Sequence, residues 1–128
     1  MKKVNESKVS IQKAYKNAAD LLEKGKFNLA EQQLSEILKK FPNDPNSLRL
    51  SGVSSLEQKR PEIALIPLQK AIKIAPDFIH AHQNLAQAWS QLGELRKAEI
   101  CYKKCLDLDP SNFSKEPVTL SNVSILEF

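Results

Sequence analysis

The feature that most constrains the fold is a strict internal repeat. Two columns recur unchanged every 34 residues: Pro42, Pro76 and Pro110, and Ala30, Ala64 and Ala98. Other columns keep their small or aliphatic character: Ala18, Gly52 and Ala86, and Leu38, Ile72 and Leu106. A short repeat of this kind cannot bury its apolar face alone, so neighbouring units must stack into one core. The two small columns are expected to face each other where paired helices approach closely.

The period divides the chain into an N-terminal extension (1–10), three units (11–44, 45–78, 79–112) and a tail (113–128). The apolar pattern of each unit predicts two amphipathic helices. The six predicted helices span about 11–24, 27–40, 45–58, 61–74, 79–92 and 95–108. Asp44 is expected to cap the helix that starts at Pro45, and Asp77 the first helix of the third unit. Gly25 and Gly93 lie in turns, where a positive φ is favourable for glycine.

The third unit carries a recognisable pattern. It contains the pair Leu85-Ala86, Trp89, Gly93, Ala98 and a closing Asp-Pro. This pattern resembles the tetratricopeptide repeat, and the resemblance extends over residues 11–112. It implies an all-α, right-handed α-solenoid of three stacked helix-turn-helix units followed by a non-repeat tail. It also implies a protein-protein interaction scaffold that binds a peptide or a partner helix in a concave groove.

The resemblance implies that one stripe of each unit's first helix lines the groove. The expected peptide-binding residues share this stripe: Tyr15, Arg49, Val53, His80, Gln83, Asn84 and Gln87. Arg49 would orient an acidic group, and Leu50, Val53 and Leu56 would form an apolar centre. The amides would pair with the backbone of the bound segment, since an amide both donates and accepts. The alternative is that these are ordinary solvated residues of an exposed helix face.

One subfamily can be compared column by column. Chaperone adaptors of this family grip an acidic C-terminus with a clamp of Lys, Asn and Arg side chains. The corresponding columns here hold no clamp cation: Tyr15, Ala19, Leu50, His80 and Asn84. The resemblance therefore does not extend to binding of chaperone tails.

The residues predict neither catalysis nor a cofactor or metal site. His80 and His82 are two apart on a helix, which places them about 200° apart around its axis. They cannot chelate one ion, and His82 is expected to pack inward. Cys101 and Cys105 share a helix face but lack the further ligands of a zinc site, so they are expected to pack in the core. The three glycines are too scattered for a phosphate loop.

Charge and hydropathy exclude further classes. The net charge is +4, and the lysines are spread along the chain among acidic residues, unlike the basic grooves of nucleic-acid-binding proteins. No apolar run has membrane-spanning length, and the N-terminus has no apolar stretch typical of a secretory signal. We therefore expect a cytoplasmic protein whose partners are proteins, with no nucleic acid and no membrane.

The tail leaves alternatives open. Residues 113–128 either cap the apolar flank left by Ile100 and Leu108 or lead into a missing domain. The uncovered flank would instead support self-association. Similar repeat arrays precede catalytic domains in bacterial transferases, so the alternative expectation is a recognition or oligomerisation segment of a larger enzyme of this type.

Overall fold

The computed structural model describes residues 2–111, which contain six helices and no strands. The helices are α1 (Lys2–Glu23), α2 (Phe27–Lys40), α3 (Pro45–Glu57), α4 (Pro61–Ile74), α5 (Ile79–Gln91) and α6 (Leu95–Leu108). The predicted helix bounds are confirmed to within one residue, except that α1 begins at Lys2 rather than at residue 11. The tail 113–128 and its expected capping role lie outside the described residues.

The helices form three antiparallel pairs, α1–α2, α3–α4 and α5–α6, that stack on one another. The first helices are also neighbours, since α3 packs against both α1 and α5. Within residues 2–111, the backbones of the second helices α2, α4 and α6 do not approach one another closely. We call the side formed by α1, α3 and α5 the inner face and the side formed by α2, α4 and α6 the outer face. The architecture is an all-α solenoid of helical repeats, as predicted.

Small residues hold the paired helices together. The members of both small columns are almost completely inaccessible to solvent: Ala18, Ala30, Ala64, Ala86 and Ala98, with Gly52 also buried. Gly52 lies against Leu68 of α4. A Cβ atom added to Gly52 would lie 2.5 Å from Leu68 Cγ. Glycine at this position therefore allows a leucine from α4 to pack directly on the backbone of α3.

Local backbone chemistry explains where the helices begin and end. Asp44 caps α3 as predicted, and its Oδ2 accepts a hydrogen bond from the Ser47 backbone N–H at 3.0 Å. The same prediction for Asp77 is wrong, because α5 begins at Ile79 and its N-cap is Phe78. Phe78 follows Asp44 by 34 residues, so the repeat itself marks it as the capping position. The α5 N-cap makes no side-chain hydrogen bond.

The turn inside each unit adopts a left-handed backbone conformation. Gly25 and Gly93 have φ of 73° and 78°, as the sequence predicts. Lys59 occupies the same column in the second unit and has φ of 61°. A residue with a Cβ atom pays about 1–2 kcal/mol for this conformation. The second unit therefore carries strain that the other two avoid.

We expect Gly52→Ala to destabilise the protein. Compared with glycine, alanine stabilises a helix interior by about 1 kcal/mol, but overpacking of its Cβ against the fully buried Leu68 costs about 1–3 kcal/mol. The free energy of unfolding, measured by urea denaturation, should fall by about 1 kcal/mol. In a Leu68→Ala background the same change should be stabilising. Equal effects in the two backgrounds would contradict this contact.

We expect Lys59→Gly to stabilise the protein by about 1 kcal/mol, because glycine adopts the left-handed conformation without steric cost. The matched change Gly93→Lys should destabilise it by a similar amount. Thermal unfolding of both variants measures the two shifts. A lower unfolding temperature for Lys59→Gly would show that the turn is not strained.

Candidate functional site

All seven predicted site residues lie on the helices of the inner face. Tyr15 is on α1, Arg49 and Val53 are on α3, and the other four are on α5. Five of the side chains are half-buried, and two are exposed: His80 and Gln87. The seven residues therefore lie on three helices that pack side by side, and we call the surface that these helices form the groove.

Arg49 and Asn84 are joined across two units. The Arg49 Nε–H donates a hydrogen bond to Asn84 Oδ1 at 2.9 Å, which links α3 to α5. Both side chains are half-buried. This bond uses the acceptor end of the asparagine amide, so its Nδ2 remains a donor. Neither residue has a further hydrogen-bond or ion-pair partner among residues 2–111, which leaves both Arg49 Nη groups available.

A second pair lies one helical turn away at the start of α5. His80 Nδ1 and Gln83 Oε1 are 3.2 Å apart, and since an amide oxygen only accepts, the histidine nitrogen donates. The His80 ring also packs edge-on against Phe78, with ring centroids 6.4 Å apart. The exposed Gln87 makes no hydrogen bond within the described part of the chain. Tyr15 packs its ring against a cluster that includes Leu50.

The prediction of an apolar centre in the groove is wrong for two of its three residues. Leu50 is 5% exposed and packs with a core cluster shared by α1, α2 and α3, while Leu56 is 2% exposed and belongs to the next cluster. The cause is the stack itself, because α3 packs against α1, α2, α4 and α5. Only Val53 remains half-buried. The groove is therefore lined mainly by polar side chains.

A polar cluster between α2 and α3 had no sequence signal. Glu31 Oε1 accepts hydrogen bonds from Ser54 Oγ at 3.1 Å and from Gln58 Nε2 at 2.8 Å. Ser54 is completely buried, so its hydroxyl needs this partner. Ser54 and Gln58 do not recur at the 34-residue offset, and Glu31 is replaced by Leu65 in the next unit, which is why the repeat could not reveal the cluster.

The histidine and the thiols that were expected to pack inward do so. His82 is buried, and its Nε2–H donates to the Pro76 carbonyl at 2.7 Å, which ties α5 to the preceding turn. Cys101 and Cys105 are both buried, and neither forms a disulfide bond within residues 10–111. Burial raises the pKa of the Cys101 thiol. Among the side chains of residues 10–111, no cluster of three or more His, Cys, Asp or Glu is arranged to hold a metal ion.

Thiol labelling tests this burial. A raised pKa lowers the thiolate fraction, and buried sulfur reaches a reagent only when the helix opens. We expect native protein at pH 8 to react with a disulfide reagent on the order of 100-fold more slowly than guanidinium-unfolded protein. Cys101→Ser and Cys105→Ser assign the rates to each thiol. Rapid reaction of the folded chain would contradict the packing.

Comparison with known proteins is consistent with this architecture. Residues 80–112 match the family model of the tetratricopeptide repeat. The chain is 30% identical over 114 residues to mouse (Mus musculus) Superkiller complex protein 3, a match that covers 83% of this chain and 7% of that protein. The chain thus spans a small fraction of the relatives it matches by sequence.

Solved structures give the same fold. The first tetratricopeptide domain of Spaghetti (RPAP3), bound to the HSP90 peptide SRMEEVD, aligns with a TM-score of 0.83 at 17% identity. That alignment covers 92% of this chain and 94% of the domain. The O-GlcNAc transferase of Thermobaculum terrenum aligns with a TM-score of 0.77 at 20% identity, over 81% of this chain and 20% of the transferase. No helix within residues 2–111 is long and apolar enough to cross a membrane.

Proposed function

We propose, from the premise that this chain belongs to the tetratricopeptide-repeat family, that its groove binds an extended segment of a partner protein through an acidic group. The observation that carries the proposal is the Arg49–Asn84 pair. It fixes a half-buried guanidinium on the inner face and leaves several hydrogen-bond donors there.

The guanidinium favours a carboxylate as the bound group. No acidic side chain among residues 2–111 pairs with Arg49. A partly desolvated cation gains from a charge-assisted hydrogen bond, and the two Nη groups match a carboxylate in a bidentate geometry. Because Asn84 already holds the Nε edge of the Arg49 guanidinium, the Arg49 side chain loses less rotamer freedom when the ligand binds. Arg49 therefore orients an aspartate or glutamate side chain of the partner.

The amides favour an extended backbone next to that group. Asn84 Nδ2 donates, while the exposed Gln87 has both a donor and an acceptor available. Tyr15 and Val53 are half-buried and supply limited apolar area, since Leu50 and Leu56 are in the core. The groove thus suits a polar, acidic segment rather than the apolar face of a helix.

Capture from an extract of the source cells tests the proposal. Immobilised full-length protein and its Arg49→Gln variant are compared, with Arg96→Gln as the matched control because Arg96 is exposed on α6. Loss of a carboxylate pair costs about 2–5 kcal/mol, so Arg49→Gln should weaken recovery of the partner by at least about tenfold. Recovery should also fall with salt. Equal recovery with both variants would refute the role of Arg49.

The chain acts in this proposal as a non-catalytic interaction module with no cofactor, while cytoplasmic location and the absence of nucleic-acid or membrane partners remain predictions. Self-association through the flank of α6 also remains a prediction. Ile100 there is 68% exposed and Leu108 is half-buried.

A second candidate function follows from the short span of the chain. It covers 7% of the mouse relative and 20% of the bacterial transferase. The groove would then serve as a recognition or oligomerisation segment of a larger, transferase-type protein. The genomic reading frame distinguishes the two: continuation beyond Phe128 into a catalytic domain favours the second.

A further inference from the structure

The outer face contains a cleft between α2 and α4. Its volume is about 460 Å³, and α3 forms its floor. The walls and floor include Glu31, Leu34, Leu38, Ser51, Ser55 and Ile63. The cleft lies on the side of the molecule opposite to Arg49 and Asn84, and nothing in the proposed function uses it.

The repeat explains why the cleft is open. Ser51 and Ser55 are small, whereas the residues 34 positions later are Leu85 and Trp89. Trp89 is half-buried and packs against a core cluster that contains Leu68 and Leu85. In the repeat, Leu68 corresponds to Leu34, and Leu85 corresponds to Ser51. Lys97, the equivalent of Ile63, places its Nζ 4.5 Å from the centre of the Trp89 ring. Between α4 and α6 the chain thus fills the equivalent space with its own indole.

Glu31 adds a carboxylate hydrogen-bond acceptor to the open cleft, and the equivalent space between α4 and α6 has no such group at this position. Its Oε1 accepts the hydrogen bonds from Ser54 and Gln58, while Oε2 accepts none from residues 2–111. The equivalent of Glu31 in the second unit is the apolar Leu65. A ring bound between α2 and α4 would therefore meet apolar walls at Leu34, Leu38 and Ile63 and a carboxylate acceptor beside them. An indole N–H satisfies both requirements.

We propose that this cleft binds one tryptophan side chain presented by a partner protein, with its indole N–H donating to Glu31. The internal copy at Trp89 is the template for the fit, and the serine floor provides the room. The chain then has two separate binding surfaces, an acidic-segment groove on the inner face and an aromatic-anchor cleft on the outer face. Tyrosine meets the same requirements less completely because its ring is smaller.

The test uses the full chain and N-acetyl-L-tryptophanamide as the probe. Amide signals of the cleft-lining residues, followed by NMR during titration, should shift saturably with a dissociation constant on the order of 1 mM. N-acetyl-L-phenylalaninamide lacks the N–H donor and should bind at least about threefold more weakly. In Glu31→Leu the two probes should bind equally. Equal binding of both probes to the wild-type chain would overturn the role of Glu31.

Variants separate this site from the groove. Ser55→Trp copies Trp89 into the cleft and should abolish the shifts, and Ser51→Leu copies Leu85 and serves if the first variant does not fold. Arg49→Gln should leave probe binding unchanged, so failure here is distinct from failure of the proposed groove. Three results would overturn the proposal: no saturable shift, unchanged binding in a folded Ser55→Trp or Ser51→Leu protein, or cleft signals that depend on protein concentration without probe. The last would identify a second copy as the occupant.

Discussion

Close packing of small side chains between paired helices is the contact on which the rest of this structure depends. Ala30 and Ala64 are completely buried and Ala98 is 1% exposed, and in the second unit Leu68 packs directly on Gly52. Packed interiors of this kind resist even small volume changes. Stacking of the three helix pairs sets the spacing of α1, α3 and α5, and hence the distance at which Arg49 can reach Asn84.

The same stacking divides the molecule into surfaces of different chemistry. The central helix α3 contacts neighbouring helices on several sides, so Leu50 and Leu56 are buried in the core and are not accessible to a ligand in the groove. What remains accessible on the inner face is polar, with one cation held in place by an amide. On the outer face, the small serines of α3 leave a cleft between α2 and α4. The two binding surfaces that we propose, one for an acidic segment and one for an aromatic ring, therefore lie on different faces of one architecture.

The sequence was a good guide wherever the backbone itself sets the rule. A 34-residue period, prolines at helix starts and glycines in left-handed turns predict the helix bounds and two of the three turn conformations. Side-chain partners across units were not predictable, because the Arg49–Asn84 bond joins residues from adjacent rather than identical columns. The burial of Leu50 was missed since its column also holds the polar Lys16 and Asn84. The cleft was missed because it arises from side chains that are small.

The most direct test of the central claim is NMR mapping of the complex between the full chain and the partner it captures. The account predicts that the largest shifts occur at Arg49, Gln83, Asn84 and Gln87, and that the guanidinium signals of Arg49 move as they do on binding a carboxylate. Shifts confined to the flank of α6 or to the unit ends, with the Arg49 side-chain signals unchanged, would contradict binding in the groove.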